Sequence, residues 1–234
     1  MTTFVLVHGA FRGGWAWDRV VPLLDGHRVL APSLPQAGER YDGSDPLVTL
    51  PDYVEDVRAL LERDDLRDVV LVGHSQGGVV ALALRAVAPS RISSVVLLDA
   101  PAPLPGTSVA EVVPEDVRAR YGAPPPPETW LPATPLAVDE ALGIADELAA
   151  WANPLLTPAP AGPAYDPLPH GGDGVPVRHV FFARTPAYYP CGHTRARLDA
   201  EGSAYDVLDA GHDAPLTHPD LVAALLLDHA RGRE

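Results

Sequence analysis

Short, wholly apolar runs alternate along the chain with longer segments whose apolar residues recur at helical spacing. Phe4-Val5-Leu6-Val7 reads as a strand buried on both faces, ended by His8-Gly9. Trp15 to Leu24 has helical spacing and stops near Asp25-Gly26, and His27 to Ala31 is a second short strand closed by Pro32. Ser33 to Val48, rich in Pro, Gly, Asp and Ser, reads as loop. From Thr49 to Arg63, Tyr53, Val57, Leu60 and Leu61 share one helical face, with Thr49 as N-cap and Pro51 and Asp52 suited to a first turn. Val69 to Val72 is a strand bounded by Gly73, Gly77 to Ala88 an apolar helix, and Val95 to Leu98 a strand closed by Asp99. Strands that are apolar on both faces and alternate with helices predict a parallel sheet covered by helices.

The pattern then changes. Seventeen of the 27 prolines lie between Pro101 and Pro176, including the run Pro124 to Pro127. Helical periodicity returns only from Val138 to Trp151, around Leu142, Ala145 and Leu148. Trp130, Trp151, Leu155 and Leu156 are costly to leave in water, which argues against a disordered linker. Residues 103–173 are therefore read as a Pro-rich lid over one end of the sheet, inserted into a core of residues 1–102 and 174–234. Val177 to Ala183 resumes the sheet, Tyr205 to Leu208 is its last strand, and Pro219 to His229 the last helix.

Composition narrows the chemistry. With 234 residues the chain is long enough for one sizeable core. Acids outnumber bases 31 to 17, giving a net charge of −14, which opposes binding to nucleic acid or an anionic membrane. Every base is Arg, so mechanisms needing a lysine amine are excluded. One cysteine, Cys191, leaves no internal disulfide and no thiolate metal cluster. Met1-Thr2-Thr3 leads straight into a strand with no signal-like segment, so the expected location is cytoplasmic. Abundant Ala, Arg, Asp and Pro point to a GC-rich bacterial source.

Gly73-His74-Ser75-Gln76-Gly77 fits G-x-S-x-G between a predicted strand and a predicted helix, the setting in which this turn thrusts its serine out at the sheet edge. A hydroxyl is a weak nucleophile at neutral pH and needs a base. His212, on the loop between the last strand and the last helix, falls at the same sheet edge and is the best of nine histidines. His74 is expected to support the elbow and His8 to be structural or to wall the pocket, while His170, His179, His193, His218 and His229 read as surface or core. Two amides aimed at a carbonyl oxygen would stabilise its developing charge: that of Gln76 and, from the loop after the first strand, that of Ala10.

The opening Phe4 to Ala10 with Gly13-Gly14-Trp15-Ala16-Trp17, the elbow Gly73 to Gly78, and Gly211-His212-Asp213 together resemble the small α/β-hydrolases that include plant methylesterases and hydroxynitrile lyases. The likeness covers nearly the whole chain and is weakest across the insertion. It implies an α/β-hydrolase fold, a serine nucleophile, a histidine base, ester-type substrates and no cofactor or metal. Cyanohydrin-cleaving relatives carry a threonine and a lysine where this chain has Gly9 and Asp213, so the esterase-like pattern fits better. The family's acid follows the strand after the insertion, yet Arg184 to Pro190 holds no carboxylate and Ala187 stands at its place. Asp99, closing the strand after the nucleophile helix, is the natural replacement and keeps the order Ser75, Asp99, His212. The alternative is a Ser-His dyad with water in place of the acid.

Phe11, Trp130 and Trp151 are expected to line an apolar pocket. The leading function is hydrolysis of a small, fairly apolar carboxylic ester or lactone through an acyl-enzyme. A non-hydrolytic lyase or cyclase using the same Ser-His pair is the alternative, motivated by the missing acid, and a catalytically silent ligand-binding protein is a third. The expected partner is a small-molecule substrate, with the chain a monomer or homodimer.

Overall fold

The computed structural model describes residues 1–113 and 125–232. Part of the 103–173 stretch, Pro124 included, therefore lies outside the described residues. Six strands form one sheet: β1 (Thr3–Val7), β2 (Arg28–Leu30), β3 (Val69–His74), β4 (Ile92–Leu98), β7 (Val177–Phe182) and β8 (Asp206–Leu208). Their order is β2-β1-β3-β4-β7-β8 and every pairing is parallel. The chain leaves β1 for one neighbour and returns to the other side of it at β3. Their carboxyl ends thus flank a topological switch point, where open α/β sheets place their ligands.

The strands are contiguous apolar runs because both faces are covered. Val5, Val7, Leu71 and Val95 face one core with α1 (Leu50–Arg63) and α2 (Gln76–Val87). Phe4, Leu6, Val70, Val72, Val96 and Phe182 face the other, with Trp17 and α6 (Pro219–Arg231). Truncating one such side chain to alanine costs about 2–5 kcal/mol. The start of α1 follows the sequence reading: Thr49 and Asp52 form a reciprocal capping box.

Three local expectations are corrected. Trp15 to Leu24 forms two short 3₁₀ turns, Gly14–Trp17 and Val21–Leu23, because Pro22 removes an amide that a continuous helix would use. Val138 to Trp151 is helical only as α3 (Asp146–Ala152). Ahead of it, Asp139 bonds the amides of Ala141 and Leu142, and Gly143 sits at φ +75°, ending a single turn. A helix that periodicity does not announce, α4 (Pro190–Glu201), follows β7 and buries only Cys191, Thr194 and Leu198.

The described part of residues 103–173 carries a two-stranded pairing, β5 (Trp130–Leu131) with β6 (Ala159–Pro160). Leu136, Ile144, Leu148, Ala149 and Ala152 gather around Ala16 and around Leu216 of α5 (Ala214–Thr217). Leu168 and Val109 instead join the α1–α2 core, and the Leu50 amide donates to Asp166 at 2.8 Å. The segment is thus fastened to the body at both ends of its course. Among the described residues no helix is long and apolar enough to cross a membrane.

Candidate active site

The turn from β3 into α2 is so tight that it excludes side chains. A Cβ on Gly73 would strike the Gly77 carbonyl and the Gly78 backbone, and one on Gly77 would strike the carbonyl oxygens of Val7 and His8. Between them Ser75 is forced to φ +52°, ψ −124°, a costly conformation for a residue with a side chain. Its amide donates to the Leu98 carbonyl at 3.0 Å, fixing the elbow against the end of β4. Gln76 opens α2, so its N–H lies among the amides that a helix leaves without an internal partner.

The ring of His212 meets this serine. Nε2 lies 3.1 Å from Ser75 Oγ, and Nδ1 lies 2.6 Å from Asp99 Oδ2. A carboxylate only accepts, so Nδ1 carries the proton and Nε2 is free to accept from the serine hydroxyl. The three residues are 113 and 137 positions apart in sequence and are joined by the fold alone. His212 is held from behind: His74 Nε2–H donates to its carbonyl at 2.8 Å, and the two rings lie 4.8 Å apart. Burial presses the His74 ring to a pKa of about 3, so it remains a neutral donor.

Asp99 is 1% exposed, and burial works to raise its carboxyl pKa. The His212 hydrogen bond and charge, the Thr185 hydroxyl (2.6 Å) and the Phe182 amide (3.1 Å) outweigh that and hold it below the ordinary carboxylate range. Its amide donates to the Val180 carbonyl at 2.7 Å, so the turn at φ +49° is anchored to β7. Ala187, Thr185 and Cys191 line a cavity of about 350 Å³ beside this carboxylate. Asp99, Cys191 and His212 also offer metal-donor atoms within 4.8 Å of one another. The first and last of these are engaged with each other, however, and burial together with Asp99 raises the Cys191 thiol pKa so that it stays protonated.

The loop after β1 is stiffly held. His8 Nε2 accepts from the Leu34 amide at 3.0 Å, so Nδ1 carries the proton and donates to the Gly9 carbonyl at 2.8 Å. In a planar trans peptide the C=O and N–H point oppositely, so gripping the Gly9 oxygen aims the Ala10 N–H the other way. Phe11 follows at φ +68°, its carbonyl accepting from the Thr157 amide at 3.0 Å. Phe11, Ser75 and Asp99 are all non-glycine residues at positive φ. Such strain persists only where surroundings over-determine it, and it collects at functional sites.

Trp130 and Trp151, expected to line the pocket, each pack against another aromatic ring. Trp130 packs edge-on to Tyr41, and Trp151, 39% exposed, packs edge-on to Trp15. The ring beside His212 is instead Tyr189, at 4.6 Å, and Leu142 stands against Gly211. Sequence reasoning also passed over Arg12, which bonds both the Ala10 carbonyl and Asp213. The available signal was a pair of opposite charges, each close behind a motif residue.

A family model described as "Alpha/beta hydrolase family" matches residues 4–225. Over 117 residues the chain is 41% identical to a carbendazim hydrolyzing esterase of Nocardioides sp., covering 49% of this chain and 48% of that one. Over 132 residues it is 37% identical to salicylic acid-binding protein 2 of Nicotiana tabacum, covering 55% and 48%. The matched stretch thus spans about half the length of these curated relatives. The solved structure of a methylesterase protein from Arabidopsis superposes with a TM-score of 0.73 at 25% identity, covering 99% of each chain.

Proposed function

The chain belongs to the α/β-hydrolase family, and from that premise we propose that it is a carboxylic-ester hydrolase acting through an acyl-enzyme on Ser75. One observation carries the reading: His212 bridges Ser75 and Asp99 at 3.1 and 2.6 Å, in the tautomer that leaves Nε2 able to take the hydroxyl proton. Ser75 Oγ attacks the ester carbonyl as His212 takes its proton. The amides of Ala10 and Gln76 receive the negative charge that builds on the oxygen. His212 returns the proton to the leaving alcohol, and water activated by the same ring releases the acid. Asp99 fixes the tautomer and stabilises the imidazolium without taking the proton.

The substrate is a small, fairly apolar ester or lactone. Esterase names among the relatives support the reaction class, and the pairing of Arg12 with Asp213 supports a neutral ligand, since it leaves little net charge beside the oxyanion loop. The 103–173 insertion acts as a lid in this reading: within its described part Leu136, Ile144, Leu148, Ala149 and Ala152 pack with Ala16 and Leu216, and the Thr157 amide donates to the Phe11 carbonyl. Phe11 faces the substrate, with Trp151 and Trp130 as outer walls of the same lid. The motive for a non-hydrolytic reaction, an absent acid at position 187, loses force because Asp99 reaches His212. A cytoplasmic monomer or homodimer needing no cofactor completes the proposal, on grounds of composition and family.

The test uses 4-nitrophenyl acetate and a fluorophosphonate probe. The parent chain shows a burst of nitrophenol and becomes phosphonylated at Ser75. Ser75→Ala and His212→Ala each lose several orders of magnitude in kcat, with the double variant little worse than either. Phosphonylation of Ser75 without turnover of any ester would return the non-hydrolytic reading to first place.

A further inference from the structure

Arg12 lies two residues beyond Ala10, and Asp213 directly follows His212. Arg12 Nη1 donates to the Ala10 carbonyl at 3.1 Å, and Nη2 donates to Asp213 Oδ1. The two side chains are 11% and 15% exposed, so the ion pair is largely withdrawn from water. One guanidinium therefore touches the loop that carries an oxyanion amide and the loop that carries the base.

The Ala10 residue is gripped on both sides. His8 holds the Gly9 carbonyl before it, and Arg12 holds the Ala10 carbonyl after it. Phe11, between Ala10 and Arg12, is at φ +68°, and a strained residue relaxes unless its neighbours pin it. On the other side, Asp213 accepts the Leu216 and Thr217 amides through its own carbonyl, at 2.8 and 3.0 Å, so its backbone is fixed to the start of α5. The base loop is thereby rigid at the point where Arg12 takes hold of it.

Stability alone accounts poorly for such a pair. Taking two charges out of water offsets most of their attraction, and well-packed apolar replacements are often as stable or more so. A planar, two-pronged cation spanning two loops does something an apolar contact does not: it sets their spacing. Building on the serine-hydrolase reading above, we propose that Arg12 and Asp213 are positioning residues. Their ion pair locks the oxyanion loop to the base loop, so that the Ala10 amide, Ser75 and His212 keep one mutual geometry.

The experiment separates positioning from folding. Arg12→Met and Asp213→Leu each leave one buried charge unpaired, whereas the double variant removes both. Expected is a double variant whose thermal midpoint returns close to the parent's while its kcat on 4-nitrophenyl acetate stays about tenfold to a hundredfold low, with KM within about threefold. Phosphonylation of Ser75 slows in parallel. Arg12→Lys, which keeps the charge but loses the fork, falls between parent and Arg12→Met at an unchanged thermal midpoint, and serves as the test if the double variant does not fold. Recovery of kcat together with the thermal midpoint, or a loss carried by KM alone, overturns the proposal. A parent chain that is not phosphonylated at Ser75 overturns the hydrolase reading itself, which the variant comparison does not.

Discussion

The two ends of the Ser75–His212–Asp99 relay are held by opposite means. On the serine side there is no room: Gly73 and Gly77 lie so close to neighbouring backbone that neither admits a methyl group, and Ser75 is held strained between them. On the acid side there is space, a cavity of about 350 Å³ lined by Asp99, Thr185, Ala187 and Cys191. There the carboxylate is aimed by donors from another strand and its loop, Phe182 and Thr185. A nucleophile set by backbone geometry stays at one place in the chain. An acid needs only a carboxylate oxygen within reach of Nδ1, and more than one strand end supplies that. The carboxylate can thus come from the end of β4 while position 187 beyond β7 holds alanine.

The sharpest way to break this comparison is to remove the acid and then supply it from the other strand. Asp99→Asn presents an amide that donates toward Nδ1 and selects the wrong tautomer of His212. The expected loss in kcat/KM is about 10³- to 10⁴-fold, read on an aryl ester. Adding Ala187→Asp to that variant places a carboxylate on the lining of the same cavity. The expected outcome is a recovery of about tenfold or more, visible against the Asp99→Asn background. No recovery at all would mean that the acid side is as tightly specified as the serine side.

This asymmetry also separates what was legible in the sequence from what was not. The elbow is written in five adjacent residues because its geometry is local. The core strands could be read because burial on both faces makes them unbroken apolar runs, as in Val69 to Val72 and Val95 to Val96. Asp99 could be inferred because a strand end places it at the right edge. Nothing local marks Thr185 or Tyr189, and the Arg12–Asp213 pair shows only as two opposite charges behind motif residues, 201 positions apart, with nothing to say that they meet. The helix Pro190–Glu201 escaped for a related reason: its buried face is one cysteine, one threonine and one leucine, too weak a stripe to show as periodicity. The aromatic residues of the insertion were readable as buried or partly buried mass, but their partners, Tyr41 for Trp130 and Trp15 for Trp151, were not.

The two sides should also part company on acidification. His8 and His74 brace the loops around Ser75, and burial holds their rings neutral, with pKa values of about 4 and about 3. Both lie below the unfolded value near 6.5, so between those limits the unfolded chain binds protons that the folded chain refuses. Stability is therefore full above about pH 6.5 and falls as pH drops toward 4, by up to about 1.4 kcal/mol per pH unit for each ring. Asp99, whose pKa is depressed, acts only lower, where the unfolded carboxyl begins to titrate near 3.9. Burial holds His179 in β7 neutral in the same way, with a pKa of about 4, so urea unfolding at pH 7, 6 and 5 should show the slope of three rings, and His74→Asn should remove about a third of it. A flat profile across that window would mean that these rings are not held neutral.

The smallest expected effect isolates the acid side on its own. Thr185 Oγ1–H donates to the same Asp99 oxygen that accepts from His212, both at 2.6 Å, so it competes for the oxygen while holding it in place. Thr185→Val keeps the shape and deletes the donor. If the hydroxyl mainly steadies the carboxylate, kcat falls about three- to tenfold and Asp99 titrates higher, as read on its own carboxyl carbon by NMR. The accompanying loss of stability, about 1.5–3 kcal/mol at neutral pH, closes as pH falls below about 3.9, because a protonated Asp99 no longer gains from the missing bond. Thr185→Ser restores the donor and with it the parent's Asp99 titration. Equal behaviour of the Ser and Val variants would mean that the β-branched shape, rather than the hydroxyl, sets the carboxylate, and that the acid side is governed by packing like the serine side.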